Sequence, residues 1–125
     1  MSEKWQELVK MASAEAERLM NRLPPPLREP ARAIPVVFEG RPGQDRVVEG
    51  IEPDTMGLFE GPSRMDPEGG VVEIPPQITL FLNNIWEEAG ADEARFREEV
   101  RITLLHELGH YLGYGEGELS ERDLE

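Results

Sequence analysis

Residues 92–116 read DEARFREEVRITLLHELGHYLGYGE, and their spacing predicts a long helix from Asp92 to about Leu112. Asp92 has the short acceptor side chain that caps a first turn, and Gly113 and Gly115 end the helix. Val100, Leu104, Leu108 and Tyr111 share one arc, with Leu105 and Leu112 flanking it, so this arc faces a core. The opposite arc carries His106 and His110, with Thr103 and Glu99, and is expected to face a cleft. Ile102 also falls near that side, so the amphipathic division is imperfect.

Both histidines of the chain lie in the segment His106-Glu107-Leu108-Gly109-His110, which fits the pattern H-E-x-x-H. Positions i and i+4 of a helix are about 40° apart around the axis and one turn along it, so both imidazoles can reach one metal ion. Glu107 lies on the neighbouring arc. Zinc lowers the pKa of a bound water to roughly 7, and a carboxylate beside that water can take its proton. The chain has no cysteine, so a metal site must use His, Asp and Glu, and thiolate centres are excluded.

Catalytic zinc ordinarily has three protein ligands and one open position. Downstream of the motif the carboxylates considered are Glu116, Glu118, Glu121 and Asp123, and Glu116 is selected. It follows Gly113 at the spacing of the third ligand in H-E-x-x-H-x-x-G-x-x-H. A glycine there permits positive φ, so the chain can leave the helix and turn back toward the metal. The competing reading of Glu116 is a solvated carboxylate in an acidic tail. Tyr114, in the turn, is a candidate donor to a developing oxyanion, whereas Tyr111 is expected to pack in the core. Asn83 and Asn84 suit either capping or substrate contact.

Upstream of this helix the patterns are shorter. Residues 3–22 are expected to form an amphipathic helix, with Trp5, Leu8, Val9, Ala12, Ala16, Leu19 and Leu23 at helical spacing; Ser2 is its N-cap, and Pro24-Pro25-Pro26 stops it. Ile34 to Glu39 reads as a strand, Val47 to Ile51 as a further brief strand, and Gly57 to Gly61 as a strand bounded by glycines. Pro62 to Pro76 is irregular. Gln77 to Leu82 is the clearest strand, and a short helix follows over Asn84 to Ala89, broken by Gly90. Helix, strands, helix make an α+β fold, and 125 residues suit one domain over 1–125.

The chain carries 26 acidic against 13 basic residues, a net charge of −13. Such a surface repels phosphate backbones and anionic bilayers, so neither nucleic acid nor membrane is an expected partner. The first twenty residues have no apolar signal-peptide core, and no apolar run reaches membrane-spanning length. The expected location is cytoplasmic. The sequence leaves the oligomeric state open.

On these residues the chain resembles a family of short bacterial zincin-like metallopeptidases, the minimal zincins. The resemblance covers most of the chain. It includes the N-terminal helix ending in Leu23-Pro24, the strand Ile34 to Glu39, the block Gly57-Leu58-Phe59-Glu60-Gly61, the strand Pro76 to Phe81, and the specific stretch Val100 to Glu116. It implies a compact zincin-like domain with a small mixed sheet over the motif helix. It also implies zinc on His106 and His110, Glu107 as general base, and an acidic third ligand at or near Glu116. Family members often carry Asp at that place, so Glu116 departs in length and not in chemistry. Larger relatives have a methionine turn after the third ligand, forming a floor under the metal; no methionine follows Glu116, and the alternatives for Met56 are an equivalent floor supplied from upstream or a loop methionine that fills a gap. The expected activity is hydrolysis of a peptide or protein substrate paired to a sheet edge near Gly57 to Gly61 or Val71 to Ile74. The competing readings are a zinc-binding docking module without catalysis, and an α+β protein with a coincidental motif.

Overall fold

The computed structural model describes residues 2–61 and 75–113. Chain order is α1 (Glu3–Arg22), α2 (Pro25–Ala33), β1 (Val36–Glu39), α3 (Gln44–Val48), β2 (Gly57–Glu60), β3 (Gln77–Phe81), α4 (Leu82–Glu88) and α5 (Glu93–Leu112). The expected α+β class is what forms: helices around a three-stranded mixed sheet. Its order is β1-β3-β2, with β1 parallel and β2 antiparallel to β3.

Both long helices begin as their caps dictate. The Ser2 hydroxyl accepts from the Trp5 N–H, and the Asp92 carboxylate accepts from the Arg95 N–H, each at 3.0 Å. Gly113 closes α5 in the left-handed conformation at φ 85°. The proline run does end α1, but it also starts α2, which the sequence pattern did not reveal. Pro25 and Pro26 occupy the first helical positions, where a missing N–H costs nothing because those donors have no intrahelical partner. Arg28 Nε donates to the Leu23 carbonyl at 2.7 Å, so the break between α1 and α2 is bonded.

Two strand expectations need correction. Ile34 is not in β1; it is the C-cap of α2, its N–H bonded to Ala31, and the parallel ladder starts where Ile78 N–H donates to the Pro35 carbonyl. Residues Val47 to Ile51 do not form a strand. Arg46 N–H and Val47 N–H both donate to the Gly43 carbonyl and set up α3. Arg46 fixes this short helix against the sheet, with Nη1 3.0 Å from Glu60 Oε1 on β2 and Nη2 3.4 Å from Glu39 Oε2 on β1. Val48, the β-branched residue that suggested a strand, is 76% exposed.

Side chains alternate across the sheet. Ile78 and Leu80 face α1 and α5, while Thr79 and Phe81 face the side that carries α3 and Arg46; all four are fully buried. The core joins Leu8, Ala12 and Leu19 of α1, Ile85 of α4, and Phe96, Val100, Leu104 and Leu108 of α5. Each large side chain of this kind contributes about 1.5–3 kcal/mol by leaving water. Glu15 sits in the apolar stripe of α1, buried, with Arg18 at 3.4 Å and Arg101 of α5 at 3.9 Å as ion partners. The carboxylate thus ties α1 to α5. No helix among the described residues is long and apolar enough to cross a membrane.

Candidate active site

The buried arc of α5 fixes which way the motif faces. Because Val100, Leu104 and Leu108 are driven into the core, His106 and His110 emerge on the exposed side one turn apart. Their Nε2 atoms stand 3.2 Å apart, with ring centroids 4.8 Å apart and planes at 72°. Two imidazole nitrogens on one tetrahedral zinc, each at about 2.0–2.1 Å, are separated by about 3.3 Å. The two rings are therefore already at ligand spacing, which makes the pair fit for a tetrahedral divalent ion. Ile102, one turn before His106 on the same arc, is 40% exposed.

Glu107, beside the two histidines on α5, packs toward the sheet. It is buried and lies against the edge strand β2, where the Phe59 backbone N–H donates to its carboxylate. Burial raises its pKa above the ordinary carboxylate value, and the neighbouring His106 and His110 charges and the Phe59 bond only partly oppose this. A raised carboxylate is a better proton acceptor near neutral pH than an ordinary one.

Two further contacts join β2 to α5. Phe59 meets Tyr111 with ring centroids 6.0 Å apart, so Tyr111 packs inward as expected. Gly57 lies directly on Thr103 and Glu107: a Cβ at position 57 would come within 2.6 Å of Thr103 Cγ2 and 3.2 Å of Glu107 Cγ. Thr103, expected on the cleft arc, is instead buried beneath this glycine. The sequence marked Gly57 only as a strand boundary. Its partners are more than forty residues away in the chain, and no local pattern announces a contact of that kind.

Asn84 is a structural residue. Its Nδ2 donates to the Pro53 and Thr55 carbonyls, each at 2.8 Å, and its Oδ1 accepts from Arg41 at 2.7 Å. The loop before β2 is pinned in this way. Met56 lines a cavity whose other walls are Arg41, Pro53, Asp54, Asn84, Glu87 and Glu88; neither histidine belongs to it. Glu116 and Tyr114, together with the alternatives Glu118, Glu121 and Asp123 and the edge segment Val71 to Ile74, lie outside the described residues. Among the described residues no group of three or more His, Asp or Glu comes together to hold a metal, and His106 and His110 form a ligand-type pair.

No curated protein matches the chain. The sequence model of the zincin-like metallopeptidases matches residues 31–125. That span includes every strand, the motif helix and both histidines, and on it the chain belongs to the zincin-like metallopeptidase family.

Proposed function

We propose that this protein hydrolyses peptide bonds, with zinc held by His106, His110 and Glu116 and with Glu107 as general base. The family is one of metallopeptidases, whose metal is usually zinc. The observation that carries the reading is the pair of Nε2 atoms 3.2 Å apart on the exposed face of α5, with the carboxylate between them in sequence turned toward an edge strand. When bound, the metal supplies Lewis acidity, making a water acidic near neutral pH and polarising a carbonyl.

The remaining work falls to the chain. Glu107 removes a proton from the attacking water as its oxygen bonds to the scissile carbonyl carbon. The same carboxyl group then delivers that proton to the departing nitrogen as the C–N bond breaks. Burial keeps the carboxylate from being fully solvated, so it is a stronger base. β2 is one of the two outer strands of the sheet among the described residues, and apart from the Phe59 N–H, which Glu107 takes, its outer edge can receive an extended peptide by main-chain pairing.

The test is a comparison of wild type with Glu107→Gln. Zinc content is measured by elemental analysis and hydrolysis with a broad peptide library. Retained zinc with hydrolysis lowered at least a hundredfold is the expected result. Undiminished cleavage by the variant would remove Glu107 as the base. A zinc-loaded wild type that cleaves nothing would leave a docking module on the same scaffold.

A further inference from the structure

We propose that Gly57 and Thr103 are positioning residues: the missing side chain at 57 lets β2 settle on α5 closely enough for the Phe59 amide to hold the Glu107 carboxylate. The proposal rests on the reading of Glu107 as general base.

The requirement for glycine at 57 is steric and not conformational. The left-handed glycines among the described residues are Gly50, Gly61, Gly90 and Gly113, and Gly57 is not among them. Its backbone would accept alanine; its surroundings would not. An added methyl would sit 2.6 Å from Thr103 Cγ2, 3.2 Å from Glu107 Cγ and 3.4 Å from Glu107 Oε2. The first distance is far below van der Waals contact, so the strand and helix must separate or the Thr103 side chain must shift, and the second requires Glu107 to give as well.

The ladder geometry explains why that separation would reach the carboxylate. Phe81 N–H donates to the Met56 carbonyl, so residues 56 and 81 form a hydrogen-bonded pair. In an antiparallel ladder such pairs alternate. Leu58, opposite Thr79, is then the next bonded position, and Phe59, opposite Ile78, directs its N–H away from β3. That outward N–H is spent on Glu107. Gly57 and Phe59 lie two residues apart on the same face of β2, so the glycine contact and the amide contact act on the same carboxylate from one strand. Thr103 is one turn before Glu107 on α5 and supplies the methyl on which the glycine rests.

The experiment uses the full chain and two readouts. In metal-free protein, amide hydrogen exchange is followed at Phe59 and, as an internal reference on the same strand, at Leu58. In zinc-loaded protein, kcat, KM and zinc stoichiometry are measured. Gly57→Ala should lower Phe59 protection at least tenfold relative to Leu58, and should lower kcat about tenfold or more with zinc and KM little changed. The double variant Gly57→Ala/Thr103→Ser removes the Cγ2 methyl that the new side chain would strike, and should recover most of both losses. If the single variant does not fold, recovery of folding and of Phe59 protection by the double variant supports the contact. Unchanged Phe59 protection in Gly57→Ala overturns the proposal, as does a double variant no better than the single. A wild type without hydrolysis ends the peptidase reading by itself, because the exchange measurement requires no turnover.

Discussion

His106 and His110 present their Nε2 atoms to one another at 3.2 Å across one turn of α5, on the side of the helix that faces away from the core. A pair held at ligand spacing by a buried helix has little ordering left to lose when an ion arrives. Replacing either histidine by alanine should therefore abolish stoichiometric zinc binding, measured by elemental analysis after dialysis. Glu116→Gln should weaken binding while leaving it detectable, because the two imidazoles remain. Zinc at a hundredfold excess over its dissociation constant should stabilise the wild type by about 2.7 kcal/mol, seen as a raised Tm, and should leave the Tm of His106→Ala unchanged. Full zinc retention by the histidine variant would remove the metal site from this helix.

The buried carboxylate of Glu107 gives a second expectation, for the metal-free protein in chelator. Its folded pKa lies above the ordinary value of 4.5, chiefly through burial. Between the unfolded and the folded value the native state keeps a proton that the unfolded chain has already released. Stability must then fall as pH rises through that window and stay lower above it. Glu107→Gln has no such proton to lose, and its amide oxygen can still accept from Phe59. The variant should melt higher than wild type at pH 7, with the difference vanishing below about pH 4. A variant that melts lower at pH 7 would contradict a carboxylate strained by its own burial.

The parts of this molecule that could be read from sequence were those governed by local rules. Ser2 and Asp92 cap, Gly113 takes the left-handed conformation, and the period of α5 separates Leu104 and Leu108 from the histidines. The strands around Leu58 and Leu80 were legible because β-branched and aromatic residues cluster between turn signals. The errors fall where a distant partner decides. The segment around Val47 is helical because Arg46 reaches Glu39 and Glu60 on two strands. Thr103 is buried because a glycine in β2 lies on it. Glu60, fourteen residues from Arg46, and Gly57, more than forty from Thr103, both lie outside a window of ten residues. At the site, the two ligand-type histidines and the motif carboxylate were legible, whereas the Phe59 amide was not, since a backbone donor carries no side-chain identity to read.

Arg46 makes a third prediction. Its side chain is partly buried, which works against the charge, yet Glu60 and Glu39 outweigh this and hold its pKa above the ordinary value. Replacing it by alanine leaves two carboxylates facing each other without their shared cation. Denaturant unfolding of Arg46→Ala should show a loss of about 1–3 kcal/mol, between the values for exposed and fully buried pairs. Arg46→Lys should recover less than half, because one ammonium cannot fork between two strands. If Arg46→Ala is as stable as wild type, the bridge contributes nothing to holding α3 on the sheet.

Two left-handed positions at helix ends carry opposite residues and therefore predict opposite signs. Gly113 closes α5 at φ 85°, and Ala91, between α4 and α5, is held at φ 62°. For an L-residue this region costs about 1–2 kcal/mol, which glycine escapes. Gly113→Ala should lower stability by about that amount in the metal-free protein. It should also weaken zinc binding, since Gly113 stands three residues before Glu116, the proposed third ligand. Ala91→Gly should raise stability by about 0.5–1 kcal/mol, the relief of strain less the greater entropy of a glycine in the unfolded chain. It should leave zinc affinity unchanged, because Ala91 lies at the far end of α5 from the histidines. Thermal melts and zinc titrations of the two variants side by side decide the matter. A stabilised Gly113→Ala or a destabilised Ala91→Gly would mean that local packing, and not backbone sterics, governs that helix end.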